Sequence, residues 1–84
     1  MEKISRKAMT EIAIGIGRIV EDHSVAELSE KEKQEKLECV FKQHYSKETS
    51  ERLASLVVES YVNDNPEAKI ELFGLMTESL SENE

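Results

Sequence analysis

The residues with chemistry to offer are few: Cys39 and His44, Asp22 and His23, and a stripe of glutamates at 67, 71 and 78. A Cys-His pair makes a nucleophile only when the base reaches the thiol. Five positions apart on a helix, at ~100° per residue, Cys39 and His44 point about 140° away from each other, so they are not expected to meet. Cys39, His44, His23 and Asp22 as a metal set match no zinc spacing. Glu67, Glu71 and Glu78 lack the Glu-x-x-His partner of a carboxylate dimetal site. In EIAIGIGRIV, residues 11–20, the G-x-G has no third glycine, no preceding strand and no following Lys-Ser/Thr, so a phosphate loop is not expected. These residues predict no catalytic, cofactor or metal site. His44 is expected as a partly buried, hydrogen-bonded histidine beside Phe41 and Tyr45. His23 is expected near the end of the first helix, where a cation is favoured.

The same ten residues decide the fold class. Ile12, Ile14 and Ile16 alternate as a strand would, but no second segment offers itself for pairing. On a helical wheel Ile4, Ala8, Met9, Ile12, Ala13, Ile16, Ile19 and Val20 fill one half of a helix over 3–22. Gly15 falls within that half, where the missing side chain admits a neighbouring helix; alternatively it is a tolerated weak point, at roughly 0.5–1 kcal/mol. Ser29 with Glu32 forms a capping-box pattern that opens a second helix over 30–44, with a thin seam of Leu37, Val40, Phe41 and Tyr45. Ser46 or Thr49 caps a third helix over 48–62, apolar around roughly two thirds of its wheel and therefore central. Asn65-Pro66 opens a fourth over 66–80. The fold class is all-α, a compact four-helix array in one domain over 1–80, with SENE, 81–84, as a disordered polar tail.

Eighty-four residues bury a core poorly without a disulfide, a metal or a partner chain. One cysteine excludes an intrachain disulfide and makes a reducing, cytoplasmic setting the expectation. No stretch approaches the ~20 apolar residues of a membrane span, and the first apolar stretch carries Glu11 and Arg18 as no signal peptide would.

The chain holds 18 acidic and 11 basic residues, net −7. The excess concentrates after residue 53, where Glu59, Asp64, Glu67, Glu71, Glu78, Glu82 and Glu84 face Lys69 alone. This balance disfavours nucleic acid and suits a partner protein with a basic surface. HYSKETSERLASLVVES resembles the first half of a helix-turn-helix, but the helix that would enter a groove carries glutamates. The alternative is a small dimeric DNA-binding regulator that uses Lys3, Arg6, Lys7 and Arg18 of helix one.

The third and fourth helices carry more aliphatic side chains than a small monomer shelters, and Ile14 stands on the polar side of the first. A homodimer, the commonest closed assembly, is expected to cover them. The sequence therefore predicts a non-enzymatic, acidic protein-protein interaction module: a regulator, inhibitor or accessory subunit. Its contact residues are expected to be Ile14, Val58, Val62, Ile70 and Phe73, with Glu67, Glu71 and Glu78 as an acidic docking stripe or a merely solvated face.

Overall fold

Side-chain caps set where the helices begin. A computed structural model describes residues 2–21 and 29–80. Helix α1 spans Arg6–Glu21, α2 Glu30–Lys42, α3 Lys47–Val57 and α4 Pro66–Ser79; a π-helical turn, Val58–Val62, extends α3. Each α-helix starts with helical N–H groups that have no partner one turn back. Ser5 Oγ accepts from the Ala8 N–H, Ser29 Oγ from Glu32, Ser46 Oγ from Thr49, and Asn65 Oδ1 from both Glu67 and Ala68. Pro66, which has no N–H to satisfy, takes the first position of α4. Asp64, at φ 54°, supplies the left-handed step that turns the chain into α4.

The expected all-α, four-helix fold is present, with no strand among the described residues beyond a single parallel bridge between Ile4 and Leu80. Two boundaries differ from the wheels, and the third helix changes pitch within its expected span. Helix α1 starts at Arg6 rather than at 3, because residues 2–5 are used as a clasp. The Ile4 N–H donates to the Ser79 carbonyl at 2.8 Å, and Glu2 accepts from the Ser46 N–H at 2.8 Å and the Thr49 hydroxyl at 3.2 Å. Helix α2 stops at Lys42, where the N–H groups of His44 and Tyr45 share the Phe41 carbonyl and Tyr45 turns into the core. The third helix widens after Val57, with the Ser60 hydroxyl donating to the Val57 carbonyl. The tail expected over 81–84, and Asp22 and His23, lie outside the described residues.

One core joins all four helices through Ile12, Leu37, Phe41, Leu53, Val57 and Leu72, all buried. Helix α3 is the central element: α2 packs on one side of it and α4 on another, and Leu53, Ala54 and Val57 are fully buried. Much of the apolar breadth expected of this helix is thus consumed inside the chain, while Tyr61 and Val62 on its π-helical extension stay exposed. At Gly15 helix α1 comes close to α2, since a Cβ there would stand 2.9 Å from Val40 Cγ1. Tyr45 Oη lies 2.6 Å from Ser79 Oγ, tying the end of α2 to the end of α4. Burial raises the tyrosine's pKa; the Ser79 bond acts against this and Glu2 adds to it.

The clasp has a pH signature. Hydrogen bonds from Ser46, with a smaller one from Thr49, hold the Glu2 carboxyl below the usual carboxylate range. A pKa lower in the folded chain than in the unfolded one adds stability above the unfolded value, and this is lost as pH falls through the folded value. Stability should therefore decline less steeply for Glu2→Gln than for the parent as pH falls through the carboxylate range, measured by urea midpoints. Parallel curves for the two proteins would show that the Glu2 carboxylate gains nothing from Ser46 and Thr49 in the folded chain.

Candidate interaction surface

Helices α1 and α4 are pinned to each other at one end only. The Ile4–Leu80 bridge and the Lys3 ammonium, which donates to the Glu78 carbonyl, join the start of α1 to the end of α4. Beyond that clasp α1 packs mainly on α2, and α4 on α3 and the π-helical turn, and an apolar gap opens between the outer sides of α1 and α4. The gap between them is a groove of about 420 Å³. Met9, Ala13 and Val20 of α1 form one wall, Leu72, Phe73 and Met76 of α4 the other, and Tyr61 and Glu21 lie among the lining. The Lys69 ammonium stands 5.3 Å from the centre of the Tyr61 ring, near enough for a cation-π attraction.

The three most exposed large apolar side chains are on the same two helices. Ile70 is 73% exposed, Phe73 53% and Ile14 51%, with Val20, Tyr61 and Val62 less so. A single exposed aliphatic side chain is ordinary on any protein. Phe73 and Val20 here line an apolar groove, a contiguous arrangement of the kind that marks contact sites.

Of the expected contact residues, Ile14, Val62, Ile70 and Phe73 are at the surface. Val58 is not: at 4% exposure it is a core residue, and its assignment to a contact surface is corrected. Glu67, Glu71 and Glu78 are exposed along α4, and Glu71 accepts from Arg52 at 2.9 Å, so one member of the stripe is already paired within the chain. Arg6, Lys7 and Arg18 are exposed on α1. Sequence reading missed Met9, Ala13 and Met76 as groove residues. Their periodicity put them on core-facing stripes, and nothing in a wheel shows that two such stripes fail to close on each other.

Cys39 is exposed on the outer side of α2, whereas His44 Nε2 turns to Glu11 Oε2 of α1, at 3.5 Å. The two do not form a dyad. Among the described residues no group of three or more histidine, cysteine or carboxylate side chains is placed to hold a metal ion, and no helix is long and apolar enough to cross a membrane. Comparisons with protein-family models, curated proteins and solved structures find no match to this chain.

Proposed function

We propose that this chain is a small acidic protein-protein interaction module of the cytoplasm, without enzymatic activity of its own, serving as a regulator, inhibitor or accessory subunit. The observation that carries the reading is the open apolar groove between α1 and α4, with Phe73 in its wall and the highly exposed Ile70 on the same helix. Covering a side chain of that size is worth about 1.5–3 kcal/mol, so a few of them supply affinity to another chain seated there. The absence of a role in catalysis is supported by the separation of Cys39 from His44, which turns to Glu11 instead. Self-association, expected as a homodimer, draws on the same face.

A photoreactive residue tests the reading in the full-length chain. Placed at position 70 it should cross-link a macromolecular partner; placed at position 39, on the outer side of α2, it should not. Equal capture from both positions, or none from position 70, would overturn the assignment of this face.

A further inference from the structure

We infer that the occupant of the α1–α4 face is a second copy of this chain, docked with its twofold axis along the groove, so that α1 of each copy lies over α4 of the other. The inference rests on reading that face as an interaction surface; it adds which partner fills it and in which orientation.

The first step is the level of each residue along the groove. The Ile4–Leu80 bridge joins the start of α1 to the end of α4, and Met9 and Met76 both line the groove, so the two helices run antiparallel. At a rise of ~1.5 Å per residue on both helices, Lys7 stands level with Glu78, Ile14 level with Ile70, and Arg18 level with Glu67.

The second step is their order across the face. On α1, the groove wall of Ala13 and Gly17 gives way to the crest at Ile14, and Lys7 and Arg18 follow about 20–40° further round. On α4, the wall at Phe73 gives way to the crest at Ile70, and Glu67 and Glu78 follow about 60–80° further round. The face is therefore a largely apolar saddle, with Glu21 at the far end of its α1 side, bordered by Lys7 and Arg18 on α1 and by Glu67 and Glu78 on α4.

Of the twofold axes along and across the groove, only the one along it pairs all four of these border charges. An axis across the groove through Ile14 and Ile70 would set α1 over α1 and α4 over α4, bringing Lys7 to Glu21 but leaving Arg18, Glu67 and Glu78 opposite uncharged positions. An axis along the groove sets α1 over α4. Lys7 then meets Glu78 of the other copy, Arg18 meets Glu67, and the Ile14 crest meets that of Ile70, each contact occurring twice as an isologous interface requires. Lys7, Arg18, Glu67 and Glu78 are all exposed, and the ion pairs among the described residues, His44–Glu11 and Arg52–Glu71, use none of them. Gly17 and Gly74 carry open space where a Cβ would stand, so neither keeps an approaching helix at a distance. The basic complement to the acidic stripe of α4 is then the protein's own α1.

Charge reversal tests this arrangement directly. One variant carries Lys7→Glu and Arg18→Glu, a second Glu67→Lys and Glu78→Lys, and a third Ile70→Glu; circular dichroism confirms that each keeps its helicity. Mass is measured by sedimentation across concentration. The parent should dimerise, each charge variant alone should dissociate at least about tenfold more readily, and an equimolar mixture of the two should recover parent-like association, because opposed like charges become unlike. The first variant becomes more acidic than the parent and the second less so, hence bulk repulsion alone would strengthen self-association of the second, and its weakening is the result specific to the proposed contacts. Ile70→Glu should weaken association in every combination.

A parent that stays monomeric throughout overturns the second copy as occupant and leaves the face to another protein. A dimer broken by Ile70→Glu but indifferent to the charge variants and their mixture overturns the orientation alone. A dimer indifferent to all three overturns both the orientation and the use of this face.

Discussion

Phe41→Ala is expected to remove about 3–5 kcal/mol of stability, the range for truncating a fully buried aromatic side chain whose site cannot collapse. Phe41 has no exposed surface and its ring centre lies 6.2 Å from that of Tyr45. Helix α2 is otherwise a row of charged side chains, held by Leu37 and Phe41 as its only fully buried members. Small domains carry about 5–15 kcal/mol in total, and a chain of 84 residues belongs toward the lower end. The single truncation therefore consumes much of what is available. Tyr45 should lose its packing partner as well, and with it the tie from Tyr45 to Ser79 that holds the end of α2 against α4. Phe41→Leu keeps most of the volume and should cost only about 1–1.5 kcal/mol. Urea unfolding followed by helical ellipticity, at one fixed protomer concentration so that any dimer contributes equally, measures both. A loss below about 1 kcal/mol for the alanine variant would mean that α2 does not pack as described.

How far the wheels reached, and where they stopped, follows from what a helical period encodes. Ser29, Ser46 and Asn65 were readable as caps because their side chains act on N–H groups two or three residues away. The central position of α3 was readable because Leu53, Ala54 and Val57 spread round its circumference. Relations between distant segments were not readable. Nothing near Glu2 says that it will meet Ser46, and nothing near Ile4 says that it will pair with Leu80, so a periodic run that extended back to residue 3 ended in a clasp instead. Val58 was misplaced for a related reason. Breadth of apolar surface is the same signal whether a second copy or the rest of the chain covers it, and here the rest of the chain buries Val58. The groove was invisible because it is a failure of two apolar stripes to meet. Helix α1 is drawn onto α2 where Gly15 admits Val40, and α4 onto α3, which leaves Met9 and Met76 facing a gap.

That account makes the glycines of α1 behave oppositely although they stand two residues apart. Replacing any helical glycine by alanine gains about 0.8–1.0 kcal/mol from the restricted unfolded backbone. At Gly17 the new methyl group meets nothing within 4 Å, so Gly17→Ala should show that gain nearly intact, and Gly74→Ala likewise. At Gly15 the methyl carbon would stand 2.9 Å from Val40 Cγ1 and 3.2 Å from Cγ2. Valine is stiff at χ1, so both methyl groups cannot swing clear together, and α1 must lift from α2 or Val40 must leave its rotamer. Such overpacking costs typically about 1–3 kcal/mol, which outweighs the gain in propensity. Gly15→Ala should therefore be the less stable of the two variants by about 1–3 kcal/mol, with the difference read from urea midpoints at matched slope. Adding Val40→Ala should erase the clash term: in that background Gly15→Ala should turn neutral or stabilising, a reversal of sign that helix propensity alone does not produce. If Gly15→Ala and Gly17→Ala raise the midpoint equally in the parent, the close approach of α1 to α2 at Val40 is wrong, and so is the explanation of why the groove beside α4 stays open.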